Sequence, residues 1–286
     1  MLTRRSVLQG IAATAAATGL GAAGNAAPLA KVRALGVLRV AVYKDNRPWS
    51  WIENGVHLGA DTDLAKAIAA KLGVRLDLAE IMADESVDDD LRNAVWKGGL
   101  LGFVPADLML HVPFDRIFSS RNDQVAVVAP YYRESFQFAC ARGSIDCDAA
   151  PATWRGHRIA AELDSIPDFY LLSTGGGSLK SDIAHHPTGW DAVAAVMRGE
   201  AEAVLATRAQ IEAARKDAPQ VAMDRRRMPL PAFTSPGWDI GMAVKENSRT
   251  LGDAVEEIVT GMTQSGELRD IFARHGIEWV PAKAAG

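Results

Sequence analysis

Arg121 and His111 are two residues whose types and spacing could bind a small molecule. Both lie within residues 107–132, which read DLMLHVPFDRIFSSRNDQVAVVAPYY. His111 follows an apolar run, and Arg121 lies in the polar segment before a second apolar run. An arginine at this point is either a solvated loop charge or an anion clamp at a pocket, because its planar guanidinium binds a carboxylate bidentately. These residues alone leave both interpretations open.

The elements that position these side chains follow from apolar patterning. VLRVAVY (37–43), VRLDLAEI (74–81), DLMLHV and QVAVVA read as strands, and DTDLAKAIAAKLG reads as a helix. Alternating strands and helices predict an α/β fold with a mostly parallel sheet and helices on both faces. In such folds ligands bind beyond the carboxyl ends of the strands, where His111 is expected. A core or loop histidine is the alternative.

A second series of alternating strands and helices begins after Pro151 and predicts a second domain. RGHRIAAEL and AEAVLAT read as strands, while IPDFYLLSTG, GWDAVAAVMRGE and RAQIEAARKD read as helices. PGWDIGMAVK reads as a further strand, and two closing helices are predicted on either side of Gly266. The length of 286 residues is sufficient for two domains.

The N-terminus predicts export. Arg4 and Arg5 precede an alanine-rich apolar stretch and the small residues around Ala26, a pattern typical of a signal peptide over residues 1–27. The paired arginines indicate either a twin-arginine signal or an ordinary secretion signal that contains two arginines. No later stretch has the roughly 18 apolar residues of a spanning helix. We therefore expect a periplasmic protein, processed near Ala26, that does not span the membrane.

Composition excludes some functions and leaves one question open. A net charge of −4 lacks the basic footprint of a nucleic-acid-binding protein. Cys140 and Cys147 could form a disulfide in an oxidising compartment or remain reduced and buried. Their spacing is not that of a CxxC redox motif.

The chain carries no recognisable metal or catalytic motif. The acidic run DESVDDD (84–90) fits the first turn of a helix with Ser86 as its N-cap, and it lacks the glycine and closing glutamate of an EF-hand. HExxH, GxSxG, P-loop and Rossmann fingerprints are absent from the sequence. The glycine-rich STGGGS (173–178) follows a predicted helix rather than a strand. We predict no enzyme activity, no cofactor and no metal.

Six segments occur in an order that resembles the bacterial extracellular solute-binding proteins of the polar amino-acid type (family 3). They cover nearly the whole chain after the leader. The segments are LRVAVYKDNRPWSW, GADTDLAKAIAAKLGV, RNDQVAVVAPYY, TWRGHRIAAELDS, WDAVAAVMRGEAEAVLAT and IGMAVKENSRTLGDAVEEIVTGMTQSGELRDIFARHG. Each is a weak signal alone, whereas their common order is specific.

The resemblance implies a type II periplasmic-binding-protein fold with two lobes and a mixed, mostly parallel sheet in each. Residues 28–133 and 239–286 would form the first lobe, and residues 134–238 the second. Two hinge crossovers would lie near residues 133–140 and 238–243. The implied function is binding of a small solute by hinge closure for an ABC permease. We expect a monomer.

The resemblance also assigns candidate ligand residues. Arg121 occupies the position of the arginine that binds the ligand carboxylate in the family. Thr207 replaces the family's ammonium-binding aspartate, Asn46 replaces an aromatic residue, and Tyr43 replaces another aspartate. A buried ammonium needs an anion or several acceptors, so a small polar or anionic ligand is expected rather than a standard α-amino acid. The full predicted set is Tyr43, Asn46, His111, Arg121, Asp164, Ser165 and Thr207.

Two alternatives remain open. The segments MLHVPFD and PYYRE resemble a branch that accompanies periplasmic quinoprotein dehydrogenases, such as methanol-oxidation systems, which implies an accessory role with a dehydrogenase as partner. A dehydratase on the same fold would need a cleft acid to protonate a leaving hydroxyl, for which Glu162 and Asp164 are candidates.

Overall fold

The structure is a computed structural model and describes residues 28–99, 102–231, 233 and 237–285. The predicted signal peptide, with its twin-arginine and cleavage-site predictions, lies outside the described residues. No helix in the described ranges is both long and apolar enough to cross a bilayer.

Strands and helices alternate over most of the described chain. The strands are β1 Val37–Tyr43, β2 Asp45–Asn46, β3 Ser50–Glu53, β4 Val56–Leu58, β5 Arg75–Ile81, β6 Leu108–Pro113, β7 Val125–Glu134, β8 Phe136–Ala141, β9 Ile159–Glu162, β10 Ile183–His186, β11 Ala203–Thr207, β12 Met223–Arg225 and β13 Trp238–Lys245. The α-helices are α1 Pro28–Leu35, α2 Ala60–Leu72, α3 Val87–Leu91, α4 Arg116–Arg121, α5 Ile166–Ser173, α6 Gly189–Met197, α7 Arg208–Asp217, α8 Arg249–Ser265 and α9 Glu267–Arg274.

Two five-stranded sheets form the centres of two lobes. The first sheet has the order β5-β1-β6-β13-β7, and the second has the order β10-β9-β11-β8-β12. In the first, β1 pairs in parallel with β5 and β6, while β13 is antiparallel to β6 and β7. The second repeats this plan, with β9 parallel to β10 and β11, and β8 antiparallel to β11 and β12. Both sheets are therefore mixed. A third, small sheet joins β2, β3 and β4.

The chain passes between the sheets at two places. It leaves the first sheet at the end of β7 and enters the second at β8, with only Ser135 between the two strands. It returns between β12 and β13, which re-enters the first sheet at Trp238. The first connection is therefore a single residue, whereas the second is longer.

Local signals explain why the helices form where they do. Leu64, Ile68 and Leu72 share the buried face of α2, and each such side chain contributes about 1.5–3 kcal/mol on burial. Gly73 ends this helix in the left-handed conformation, with φ 73°. Gly266 likewise separates α8 from α9 with φ 83°, as the sequence predicts. Ser86 caps α3 by accepting a hydrogen bond from the Asp89 amide.

Two features refine what the sequence predicts. The polar segment between β6 and β7 contains a helix, α4, because the Asp115 side chain accepts a hydrogen bond from the Phe118 amide and caps it. Cys140 and Cys147 are joined by a disulfide, which resolves the open question in favour of pairing.

The lobes also meet along a packed surface, which we call the lobe contact and define by Arg47, Trp190, Arg208 and Asp217. Arg47 Cζ lies 4.7 Å from the centre of the Trp51 ring and 4.3 Å from that of Trp190. Arg47 Nη2 is 2.6 Å from Asp217 Oδ2. Trp51 belongs to β3 of the small sheet and Arg47 to the turn before it, both in the first lobe, whereas Trp190 and Asp217 belong to the second lobe.

Arg208 makes the other polar part of the lobe contact. Its Nη2 donates to the Tyr132 hydroxyl at 2.7 Å and to the Glu278 carbonyl oxygen at 3.0 Å, both in the first lobe. The Glu278 amide in turn donates to Glu212 of α7 at 2.9 Å. Buried Ala209 and Ala213 of α7 belong to the same apolar cluster as the first-lobe core. The lobe contact is therefore both apolar and hydrogen-bonded.

Candidate functional site

A cavity of about 430 Å³ lies between the lobes at the carboxyl ends of the strands. Volumes of this size are typical of small-molecule sites. The first lobe contributes residues that end or follow β1 and β5, together with His111 within β6, and the second contributes residues at the ends of β9 and β10. The groups from the two walls that carry the argument below are Tyr43, Asn46, His111, Glu162 and Thr188.

Tyr43 ends β1 and is fixed on the first-lobe wall. Its hydroxyl donates to Asp90 Oδ2 at 2.7 Å. Burial, followed by the nearby Asp90 charge, raises the pKa of Tyr43 well above its ordinary value, so the hydroxyl remains protonated. Burial also raises the pKa of Asp90, although the Tyr43 hydroxyl and the Asp84 amide partly oppose this effect. The Tyr43 hydroxyl is thus occupied, and its ring is the part that a ligand can contact.

His111 lies within β6 and has a buried carboxylate behind it. His111 Nδ1 is 3.0 Å from Asp61 Oδ2, and the side chain of Asp61 is 1% exposed. The hydroxyl of buried Tyr131 donates to Asp61 Oδ1 at 2.7 Å and accepts from the His111 amide at 3.2 Å. Asp61 and Tyr131 therefore fix the imidazole from within the protein.

Glu162 ends β9 on the opposite wall. Its Oε2 accepts the amide of Gly189, the first residue of α6, at 2.9 Å. Burial raises the pKa of Glu162, and the Asp191 charge adds to this, while the Gly189 hydrogen bond opposes it. A carboxylate in this state favours a cationic or donor-bearing neighbour, because such a neighbour compensates its desolvation.

Asp164 and Ser165 form the turn that starts α5, directly after Glu162. Ser165 Oγ accepts from the Asp168 amide at 3.3 Å and donates to the Glu162 carbonyl oxygen at 2.6 Å. Asp164 has φ 57°, and its amide donates to Asp168 Oδ2. Both residues therefore support the wall that carries Glu162, and a direct ligand contact for either stays a prediction.

Thr207 is the N-cap of α7. Its hydroxyl oxygen accepts from the Gln210 amide, and the Gln210 side chain accepts from the Thr207 amide, which together form a capping box. The Thr207 side chain thus stabilises the start of α7. Its predicted ligand contact is untested.

Arg121 ends α4 and is engaged outside the cavity. Its side chain is 57% exposed, its Nε is 3.2 Å from Asp88 Oδ1, and its Cζ lies 5.1 Å from the centre of the Phe118 ring. A surface ion pair of this kind contributes little to stability. Arg121 is not among the described residues that line the cavity. Its predicted role as a carboxylate anchor therefore requires it to leave Asp88.

The structure thus brings three of the seven predicted residues, Tyr43, Asn46 and His111, together on one wall of the cavity. Sequence reasoning missed Asp61 as a partner of His111, since it used the GADTDL segment only as a mark of the fold. It named Glu162 only as a candidate catalytic acid. An acidic residue at the end of a predicted strand was the signal that could have placed Glu162 among the ligand candidates.

The comparisons with known proteins support the fold. No protein-family model matches the sequence, and a search of curated proteins finds no match. Solved structures do match. An ancestral cationic amino acid solute-binding protein aligns with TM-score 0.67 and 19% identity over 87% of this chain and 99% of its own.

Two further structures extend this comparison. An amino acid ABC transporter substrate-binding protein from Streptococcus pneumoniae, bound to L-arginine, aligns with TM-score 0.64 and 19% identity over 90% of this chain and all of its own. A histidine kinase sensor domain with similarity to periplasmic binding proteins aligns with TM-score 0.59 and 17% identity over 86% of this chain and 97% of its own. The chain therefore has the two-lobed α/β fold of the amino-acid-binding proteins of ABC transporters.

Proposed function

We propose that the chain is an exported solute-binding protein that takes a small polar solute into the cleft between its lobes, for uptake by an ABC permease. The observation that carries this proposal is the cavity between the strand ends, which presents His111 from one lobe and Glu162 from the other. A solute that contacts both walls favours the closed arrangement, because only that arrangement offers both sets of contacts.

The proposed lobes are those expected from the sequence, residues 28–133 with 239–286 and residues 134–238. We propose Tyr43, Asn46, His111 and Glu162 as the contacts with the solute. Structures with this fold include transport receptors and a sensor domain, so the fold alone does not distinguish these uses. We propose binding without catalysis because the transport receptors of this fold are binding proteins.

Native mass spectrometry of freshly purified protein tests the proposal directly, since it detects a retained solute by mass. A thermal-shift panel of amino acids, amines, polyols and carboxylates follows, because a ligand selective for the folded state raises its stability with concentration. The proposal would be contradicted if no solute is retained and no compound shifts the melting temperature.

Arg121→Ala tests the predicted anchor, and retained binding would remove Arg121 from the site.

Exposed apolar side chains favour a second candidate, an accessory protein of a periplasmic dehydrogenase. Met82, at the edge of the cavity, is 77% exposed, and Ile166 and Phe169 of α5 are also exposed. Ile166 and Phe169 are three residues apart on α5 and therefore adjacent on its surface, and apolar groups exposed together can mark a protein interface. Co-purification with a dehydrogenase, and its loss in an Ile166→Ser and Phe169→Ser variant, would support this role over transport.

A further inference from the structure

The backbone of His111 is held in an unfavourable conformation. Its φ is 63°, in the left-handed region, although it lies within a strand and is not a glycine. This conformation costs about 1–2 kcal/mol for a residue with a Cβ atom. Such strain persists where surrounding contacts impose it, and it is common at ligand sites. The contacts of the His111 amide and ring with Tyr131 and Asp61 supply that constraint.

These contacts also decide which ring nitrogen meets the cleft. Asp61 Oδ1 accepts a hydrogen bond from the Tyr131 hydroxyl. A carboxylate oxygen only accepts, so Asp61 Oδ2 accepts the hydrogen bond that the Nδ1–H group of His111 donates. With its single ring proton on Nδ1, the imidazole carries its lone pair on Nε2. Within the described part of the chain, Nε2 has no hydrogen-bond partner, and the His111 side chain is 20% exposed and lines the cavity. His111 thus offers the cleft a hydrogen-bond acceptor.

The opposite wall offers an acceptor as well. Glu162 uses Oε2 to accept the Gly189 amide, and its Oε1 has no partner among the described residues. Thr188 does not add a free donor, since its hydroxyl donates to Asp191 Oδ2 at 2.8 Å. His111 Nε2 and Glu162 Oε1 therefore both require donors from the ligand, whereas the Asn46 side-chain amide in the same lining can donate or accept.

The charges around the cavity agree with this requirement. No arginine is among the described residues that line it, so a ligand carboxylate finds no bidentate partner there. Exposed Lys44 and Asp45 at the rim carry opposite charges, which leaves Glu162 as the uncompensated charge of the lining. Burial raises the pKa of Glu162, and a bound cation would reverse that effect.

We propose that the ligand is a small organic amine without a carboxylate, with a second hydrogen-bond donor at its other end, such as a diamine or an amino alcohol. This inference rests on the proposed function and names the ligand class of the same cleft. One end donates to His111 Nε2, and the other end, an ammonium, pairs with the Glu162 carboxylate. Asp61 and Tyr131 are positioning residues that keep Nε2 an acceptor.

Calorimetric titration of the whole protein with 1,3-diaminopropane, 1,4-diaminobutane and 4-amino-1-butanol tests this class. We expect binding by at least one amine and none by succinate or 4-aminobutanoate, because the described lining has no arginine to bind a carboxylate and the Lys44 charge is offset by Asp45. Glu162→Gln and His111→Asn should each weaken amine binding at least tenfold. Asparagine tolerates the left-handed backbone of position 111, so this variant is expected to fold.

Matched controls are Glu200→Gln and His157→Asn, which make the same changes at exposed ion pairs outside the cleft. They should leave amine binding unchanged. Binding of succinate or an amino acid, without amine binding, would overturn the ligand class and leave the proposed function standing. No binding by any compound of the wider solute panel would remove both.

The ¹⁵N chemical shifts of the His111 ring test the positioning role without a ligand. We expect the Nδ1–H tautomer in the wild-type protein. In Asp61→Asn the amide NH₂ can face Nδ1 as a donor, which moves the ring proton to Nε2 and turns the acceptor into a donor. Amine binding should then fall at least tenfold. An Nε2–H tautomer in the wild-type protein would overturn the inference.

Discussion

The two surfaces at which the lobes meet are built differently. At the lobe contact, side chains of one lobe bond directly to the other, as Arg47 does to Asp217 and Arg208 to Tyr132. At the cavity, the polar groups that do have partners bind within their own lobe, as Tyr43 does to Asp90 and Glu162 to Gly189. The lobe contact thus holds the lobes together with the protein's own groups, whereas the cavity leaves its bridging contacts to a ligand.

This difference has a consequence for binding energy. A ligand has to supply only the contacts across the cavity, because the lobe contact already limits the relative positions of the lobes. Restricting a protein's freedom before binding reduces the entropy lost on binding. Loss of the lobe contact should therefore lower stability and widen the distribution of lobe separations. Loss of a cavity group should lower affinity and leave the separation unchanged.

The largest effect is expected from Arg208→Met. The side chain of Arg208 is only 14% exposed, and its removal leaves the Tyr132 hydroxyl and the buried Glu212 with fewer partners. Breaking a buried ion pair by removal of one partner costs about 3–5 kcal/mol, so we expect a loss of about 3 kcal/mol in denaturant unfolding. Arg198→Met, at an exposed pair with Glu200, is the matched control and should change stability by less than about 0.5 kcal/mol. Equal losses in both variants would contradict the structural role of Arg208.

Glu134→Gln should reveal a titration beside the lobe contact. Glu134 is buried at the end of β7, and burial raises its pKa from 4.5 to about 8. The folded state therefore binds a proton that the unfolded state releases between these two values, and wild-type stability falls as pH rises from 4.5 to 8. Glutamine needs no proton, so the variant should be more stable by about 3 kcal/mol at pH 7. This advantage should vanish near pH 4.5 in unfolding curves recorded across the range, and a constant difference would contradict the assignment.

Arg47→Leu should loosen the lobe contact more than it destabilises the fold. The Arg47 side chain is 30% exposed, and its stacking on Trp51 and Trp190 and its pairing with Asp217 contribute about 1–2 kcal/mol together. Because these contacts join different lobes, small-angle scattering should show a larger radius of gyration in the variant without ligand. Arg249→Leu, which removes an ion pair confined to the start of α8, is the control. An unchanged radius would mean that the remaining contacts alone hold the lobes.

Local elements of this fold were predictable because their signals are local. The four-residue spacing of Leu64, Ile68 and Leu72 places them on one face of α2 wherever that helix packs. Gly266 breaks the closing helices by its own backbone conformation. The ordered motifs of the whole chain then indicated two lobes, which the two sheets confirm.

The site was less predictable because its contacts join distant parts of the chain. His111 and Asp61 are 50 residues apart, and their hydrogen bond exists only because α2 packs beside β6. Arg121 matches a family position in sequence, but its ion pair with Asp88, 33 residues away, depends on how α4 meets α3. Periodicity determines which face of an element is buried, whereas the partner of a polar side chain depends on tertiary packing.

The smallest effect is expected from Tyr43→Phe, which alters the cavity wall and not the lobe contact. The variant loses the hydrogen bond to Asp90 Oδ2, while Asp90 Oδ1 still accepts one from the Asp84 amide. The free energy of unfolding should therefore fall by about 1 kcal/mol. Because Tyr43 and Asp90 belong to the same lobe, the radius of gyration should equal that of the wild-type protein. An increase matching that of Arg47→Leu would show that the cavity wall also holds the lobes together, and the two surfaces would then differ in degree only.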